Sequence, residues 1–344
     1  MNQSLSEKRE VFINSFISEH KDRPNILYVH TPFCTSRCAY CIYDSTDEYS
    51  LDELNSFYDN ELKRQIESYR DIFENVVFDQ VYFGGGTPTI CTADKLKSVF
   101  GLIPYFSNIK NKCIESTPAT LTDNHIKLLK EYDFSFLSVG IQSLDRMICK
   151  KQNRPYLRRK DFVELSENLV SSGIYFNYDL ICYMNCGDIR DVVQFKDELD
   201  YILSVGRPHG VTIHQLNQAF YTVEKTSILI KLIRDTLMKH EVYSCVNSLL
   251  NDDDALNDTF YNAEYKLERD RIGYTHYMWN KYPSMPMEGY NVLSIGFYKE
   301  KKTFSSVGAT FFCETQELLS PINYDHFVLE NHKYIRECLH MPLY

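Results

Sequence analysis

The sequence predicts an α/β fold: an incomplete (β/α)6 barrel over residues 24–215, preceded by an N-terminal segment (1–23) and followed by a smaller α+β domain (216–344). Three observations predict it. Short apolar runs alternate with amphipathic stretches, as parallel βαβ units with right-handed crossovers require. Polar and thiol side chains collect where those runs end, and the carboxyl ends of parallel strands are where such folds place their chemistry. Near residue 216 the rhythm changes.

The elements follow in order. Ile26–His30 is the first strand, and Asp52–Arg70 reads as a helix with Leu54, Phe57, Leu62 and Ile66 near helical spacing. Gln80–Phe83 is the second strand, and Thr92 caps a helix reaching about Tyr105. A third strand covers Cys113–Glu115, and Thr122 caps a helix carrying Ile126, Leu128 and Leu129. Strands over Phe134–Val139, Ile174–Cys182 and Gly210–His214 alternate with helices over Asp161–Ser171 and Val192–Leu203. Six units are fewer than the eight of a closed barrel, so the barrel is open on one side; a doubly wound sheet is the alternative. Beyond residue 216, a helix over Lys225–His240 precedes strand-like runs at Gly273–Trp279, Asn291–Phe297 and Thr303–Phe312. The open side needs a cover. Tyr274, Tyr277, Trp279, Tyr290 and Phe297 are candidates to line a pocket there, because ligand sites favour domain interfaces.

Composition narrows the function. With 44% hydrophobic residues the chain can bury a sizeable core, and its formal net charge of −10 would repel a phosphate backbone. No window approaches 18 uninterrupted apolar residues, so neither a membrane nor a nucleic acid is an expected partner. The N-terminus lacks a basic segment followed by an apolar one, which makes the cytosol the expected location. Eleven cysteines, an odd number and mostly scattered, do not form a disulfide framework.

Only Cys34, Cys38 and Cys41 cluster tightly, directly after the first strand. Three thiolates within eight residues converge on one metal centre. A structural zinc site would want a fourth ligand, commonly from a second Cys-x2-Cys pair, and there is none. Three cysteines on a cubane iron–sulfur cluster leave one iron open for an exogenous ligand. Gly84-Gly85-Gly86-Thr87-Pro88 follows the second strand; without Cβ atoms its backbone can approach a ligand closely, or simply turn tightly. Glu115 ends the third strand, Gln142 the fourth, and Asp179 sits within the fifth. A charge inside an apolar run is costly unless satisfied, so Glu115 and Asp179 face a polar site or a buried hydrogen bond.

Cys-x3-Cys-x2-Cys with an aromatic before the last cysteine resembles the radical S-adenosylmethionine (SAM) superfamily. The order Tyr-x-His-x-Pro-Phe-Cys, Glu-x-x-Pro-x-x-Leu, Gly-Ile-Gln-Ser, Asn-Arg and Asp-Leu-Ile is similar to oxygen-independent coproporphyrinogen III oxidases, haem chaperones, anaerobic haem-degrading enzymes and related methyltransferases. The resemblance covers about residues 24–215. It implies a radical SAM barrel with a 4Fe–4S cluster on Cys34, Cys38 and Cys41, whose open iron takes the amino and carboxylate groups of SAM. Reductive cleavage would then give a 5′-deoxyadenosyl radical that abstracts hydrogen; in the methyltransferase variant, a second SAM molecule takes part. By motif, Gly84, Gly85, Gly86 and Thr87 would bind the methionyl amino group, and Glu115 and Gln142 the ribose. Arg154 would pair with the methionyl carboxylate, and Asp179 would hold the ribose or amino group. Tyr40 and Ile42 would offer backbone to adenine, and Tyr28 and His30 would lie beside the cluster as candidate catalytic residues. The resemblance also implies a flavodoxin- or ferredoxin-type reductant and an organic small-molecule substrate.

Some features depart from the oxidases. Tyr43 stands where they carry a fourth cysteine, Cys182-Tyr183-Met184-Asn185-Cys186 replaces their usual continuation, and only 33 residues precede Cys34. The leading expectation is therefore a radical SAM enzyme. A non-catalytic haem-binding chaperone, with His209, His214 or His276 as candidates, and an oxidase-like decarboxylation are the alternatives.

Overall fold

The computed structural model describes residues 5–19, 25–41, 45–182, 192–215, 223–244, 258–262 and 291–296. Within these, α1 (Leu5–Glu19) precedes β1 (Asn25–Thr31). Then come α2 (Leu51–Ser56), α3 (Leu62–Ser68), α4 (Arg70–Asn75), β2 (Gln80–Gly85), α5 (Ala93–Leu102), β3 (Asn111–Ser116) and α6 (Asp123–Glu131). They are followed by β4 (Phe136–Gln142), α7 (Arg146–Lys151), α8 (Arg159–Ser172), β5 (Phe176–Cys182), α9 (Val192–Tyr201) and β6 (Gly210–Gln215). The last described elements are α10 (Val223–Lys239), β7 (Val242–Ser244), β8 (Asp258–Asn262) and β9 (Asn291–Ile295). Six β/α units, β1 to β6 each followed by helix, bear out the expected α/β class. The expected strands at 273–279 and 303–312 lie outside the described residues.

The chain divides into two compact units, one drawn from residues 1–35, 42–115 and 281–344, the other from 36–41 and 116–280. In the first, β9, β1, β2 and β3 are successive parallel neighbours, with Ile26 opposite Gln80, Gln80 opposite Asn111 and Asn25 opposite Asn291. β1 is buried along its whole length, as parallel strands covered on both faces are. Phe33, Phe57, Phe73, Phe83 and Phe100 fill the core around it. Ser50 starts α2 with a capping box to Glu53. The single helix expected over 52–70 is interrupted by a π-helical turn at Phe57–Glu61 and a kink at Tyr69. Phe57 within that turn packs edge-on against Phe33, ring centroids 5.4 Å apart, so aromatic packing beneath the cysteine loop accompanies the extra backbone residue.

In the second unit β4, β5 and β6 are parallel neighbours, and β8 adds antiparallel to β6 and then β7 to β8. From the region after 216, β8 and β7 thus add to β6 in the second unit, and β9 adds to β1 in the first. Thr122 caps α6 as expected, with His125 completing the reciprocal cap. The six-residue α7, capped by Asp145, was not expected from the sequence.

Helices α9 and α10 are tied by Asp200, which lies 2.6 Å from Lys239 Nζ and 2.8 Å from His240 Nε2. The Lys239 hydrogen bond, then that of His240, holds the Asp200 carboxyl down at about 2, against an ordinary 3.8. A lowered carboxyl pKa stabilises the fold above the unfolded value, and the gain is lost as pH falls towards the folded one. The carboxylate is partly exposed and Lys239 largely so, so screening keeps the gain below about 1 kcal/mol. Asp200→Asn should lower the melting temperature by a few degrees at most at pH 7. That difference should close between about pH 4 and pH 2, as measured by thermal unfolding across the range.

Candidate functional site

In the first unit the site is built by register. His30 lies opposite Gly84 and Thr31 opposite Gly85, so the loops leaving β1 and β2 run side by side. The Gly86 N–H donates to Thr31 O (2.6 Å) and the Thr87 N–H to Phe33 O (2.8 Å). Cys34 lies next, its Sγ 3.5 Å from Thr87 Oγ1 and its N–H donating to Thr46 O at 2.9 Å. The glycines are required by this approach. Gly85 sits at φ +102°, a region side chains avoid, and a Cβ on Gly86 would stand 2.8 Å from Thr31 O. The missing Cβ atoms let the glycine loop pack against the chain's own cysteine loop.

Tyr28 and His30 point to the same face of β1, both buried, with Tyr28 Oη 3.1 Å from His30 Nδ1. Tyr82 of β2 stacks on Tyr28, ring centroids 6.2 Å apart, and donates its hydroxyl to Glu115 Oε1 at 2.6 Å. Tyr82 was missed in the sequence, although it shares the i, i+2 face with Gly84. Its hydroxyl supplies one of the bonds that let Glu115 sit at a strand end.

The second unit holds Tyr40, Cys38, Cys41, Gln142, Arg154 and Asp179. The Cys41 N–H donates to Cys38 O (3.1 Å), closing a turn around Tyr40. That turn is anchored to α7 and its exit: the Ala39 N–H donates to Gln152 O at 3.0 Å, and Asn153 Nδ2 donates to Arg37 O at 3.0 Å. Arg154 follows at once. Its Nη1 reaches Tyr40 Oη (3.0 Å) and Cys38 Sγ (3.5 Å), and its Nη2 donates to the Gly140 carbonyl. Burial pushes the Tyr40 phenol well up, against the pull of the Arg154 cation, so it is a neutral partner near neutral pH.

Gln142 reaches the same place. A Cβ on Gly140 would meet Gln142 Nε2 at 3.1 Å and Arg154 Nη2 at 3.2 Å, so Gly140 leaves room for both. Gln142 Oε1 is buried and has no hydrogen-bond partner. Asp179 is held separately. Ser138 Oγ donates to its carboxylate at 2.8 and 2.9 Å, and Asn177 Nδ2 at 2.7 Å while also reaching Thr212 Oγ1 at 2.9 Å. These buried partners come from three strands, and only the i, i+2 pair Asn177–Asp179 was visible in the sequence. Ile42 lies outside the described residues.

The donor set fits an iron–sulfur cluster in its chemistry. Cys34, Cys38 and Cys41 form no disulfide and are partly exposed, whereas Cys91, Cys113, Cys149 and Cys182 are buried. Burial pushes the Cys91 thiol up to about 11, leaving it protonated and inert at neutral pH. Among the described residues no three His, Cys, Asp or Glu side chains are already drawn together at metal-ligating spacing. SAM is fitted by the orphaned Gln142 oxygen, an acceptor that a ligand hydroxyl could satisfy. Cys186 and His276, as well as the aromatic residues Tyr274, Tyr277, Trp279, Tyr290 and Phe297, lie outside the described residues, and no described helix is long and apolar enough to cross a membrane.

Comparison with known proteins agrees with this arrangement. The Radical SAM superfamily model matches residues 28–196. The haem chaperone HemW of Buchnera aphidicola is 26% identical over 205 residues, which are 58% of this chain and 53% of that protein. The oxygen-independent coproporphyrinogen III oxidase of Helicobacter pylori is 31% identical over 165 residues, covering 46% of this chain and 35% of that protein. This chain therefore spans about half or less of the curated relatives' length. Among solved structures, coproporphyrinogen III oxidase (HemN) of Escherichia coli matches 87% of this chain and 68% of its own, at TM-score 0.67 and 18% identity, a likeness of fold. Residues 28–196 are a radical SAM domain, and the chain resembles the coproporphyrinogen III oxidase and haem chaperone branch of that superfamily.

Proposed function

We propose that the chain is a radical SAM enzyme acting on an organic small molecule, with Cys34, Cys38 and Cys41 holding a 4Fe–4S cluster. One observation carries the reading. Gln142 Oε1 is a buried acceptor without a partner, and the same side chain's amide nitrogen stands over Gly140 together with Nη2 of Arg154, whose guanidinium touches Cys38. An unmet acceptor costs roughly 1–3 kcal/mol, and a ligand with hydroxyl donors and a carboxylate would answer both groups. The cluster and SAM, when bound, would supply the radical chemistry.

The chain's own residues would do the rest. Arg154, braced by Tyr40, would offer a charge-assisted bond to the methionyl carboxylate. Gln142 and Glu115 would accept from the ribose, and Asp179, fixed by Ser138 and Asn177, would hold a ribose hydroxyl or the amino group. Gly84, Gly85, Gly86 and Thr87 would present backbone to the methionyl end, and Tyr40 and Ile42 to adenine. Tyr28 and His30 would stand beside the cluster and keep water from it. A flavodoxin- or ferredoxin-type protein would deliver the electron, and the cytosol would be its setting. Hydrogen abstraction or, with two SAM molecules, methyl transfer would be the reaction, and oxidase-like decarboxylation is the narrower variant.

A haem chaperone is the second reading, favoured by the relatives that carry that name. Of its candidate histidines, His209 is engaged structurally: its Nδ1 accepts the Phe176 N–H at 3.3 Å, and its ring packs edge-on against Tyr175. The His214 side chain lies outside the described residues.

Anaerobic reconstitution should give about four iron and four sulfide per chain, as one 4Fe–4S cluster requires. Replacing Cys34, Cys38 and Cys41 together by alanine should abolish it, while Cys91→Ala should not. A full cluster in the triple variant would refute the ligand assignment. Arg154→Ala should weaken SAM binding about ten- to a hundredfold with cluster content intact, as loss of a charge-assisted bond predicts. Unchanged affinity with a collapsed melting temperature would make Arg154 only a brace for the cysteine turn.

A further inference from the structure

The backbone at Gln142 is unusual. Gln142 sits at φ +64°, in the left-handed region that residues with a Cβ rarely adopt. The Ser143 N–H donates to Ile141 O at 2.8 Å, so a three-residue turn closes around Gln142, a strained form. The ladder slips at the same point: Gly140 lies opposite Asp179 but Gln142 opposite Leu180, leaving Ile141 as the extra residue. Such strain persists only where the surroundings over-determine it.

Glu198 of α9 is what over-determines it. Although buried, it accepts the Leu144 N–H at 2.7 Å and the Ser143 hydroxyl at 3.2 Å, gripping the two residues after Gln142. Ser143 Oγ in turn accepts the Asp145 N–H at 3.1 Å, and Asp145 caps α7 through the N–H groups of Met147 and Ile148. A second α9 side chain joins in, Gln194 Nε2 donating to Asp145 Oδ2 at 2.8 Å. Helix α7 then leads directly to Arg154. One helix face thus clamps the segment that joins Gln142 to Arg154. A buried carboxylate is expensive unless bonded, and here two of its bonds go to a single turn.

We infer that Glu198 is a positioning residue that holds Gln142 in its strained turn, keeping the Gln142 side-chain oxygen free for the ligand. The inference rests on the reading of Gln142 as a contact to SAM. Without Glu198 the turn relaxes, the bulge shifts along β4, and the Gln142 amide no longer meets Gly140.

A double-mutant cycle on the anaerobically reconstituted full chain tests it, with equilibrium SAM binding as the readout. Glu198→Ala and Gln142→Ala should each weaken SAM binding about three- to tenfold, the range set by one hydrogen bond. Because Glu198 acts through Gln142, the double variant should bind no more weakly than Gln142→Ala alone. Glu198→Gln keeps an acceptor for the Leu144 N–H and should recover most of the loss. A second readout needs no ligand. Gln142→Gly, which suits positive φ, should raise the melting temperature of the otherwise wild-type chain but not that of Glu198→Ala. Should Glu198→Ala not yield folded protein, Ser143→Ala, which removes one of the two bonds, takes its place in both cycles. Additive losses of affinity, or an equal gain from Gln142→Gly in both backgrounds, would overturn the latch while leaving the SAM reading intact. Wild-type affinity in Gln142→Ala would instead overturn the reading of Gln142 as a SAM contact, and the inference with it.

Discussion

The in-register parallel pairing of β1 with β2 is the constraint on which the rest of the first unit depends. It sends the cysteine loop and the glycine loop off the same edge, with Thr31 and Phe33 carbonyls meeting the Gly86 and Thr87 amides. Any Cβ at Gly86 would force the two loops apart and carry Cys34 away from Thr87. The Cys34 thiol is thus placed by backbone hydrogen bonds, which are more rigid than side-chain contacts. Beneath it, Phe33 packs on Phe57 and Tyr49, so the loop also has an aromatic floor.

The second unit applies different means to the same end. Its polar groups also stand at or near the carboxyl ends of parallel strands, but each is fixed by side chains. Asp179 is fixed by Ser138 and Asn177, Arg154 by Tyr40 and the Gly140 carbonyl, and Gln142 by the bulge and turn at the end of β4. These arrangements carry cost: a strained φ, an unmet acceptor, and a charge inside a strand. Their concentration around Gly140 and the Cys38–Cys41 turn is what separates this region from an ordinary sheet edge, since strain and unmet polar groups collect at functional sites.

Much of the fold was legible because parallel strands buried on both faces are near-continuous apolar runs, as Ile26–Val29 is. Caps at Thr92 and Thr122 were legible for a local reason, the hydroxyl meeting an amide three residues on. The break at Phe57–Glu61 was not, because it follows tertiary packing of Phe57, whereas the apolar spacing of the segment continues through it. Helix α7 is too short to show a period. The site divides in the same way. Motif order revealed the cysteines, the glycines and Arg154. The partners of Asp179 and Glu115 were hidden because Ser138 and Tyr82 are far away in sequence. Glu198 reads in the sequence as one more acid on an amphipathic helix, and only the tertiary fold turns it inwards.

Reductive cleavage of SAM bears most directly on the central claim. The anaerobically reconstituted chain is incubated with dithionite and SAM, and 5′-deoxyadenosine and methionine are quantified. The account predicts that both form in equal amounts, and that neither forms in the variant lacking Cys34, Cys38 and Cys41. A chain that holds a complete 4Fe–4S cluster and binds SAM, yet returns it uncleaved under these conditions, would contradict the enzyme reading and leave a binding protein on a radical SAM fold.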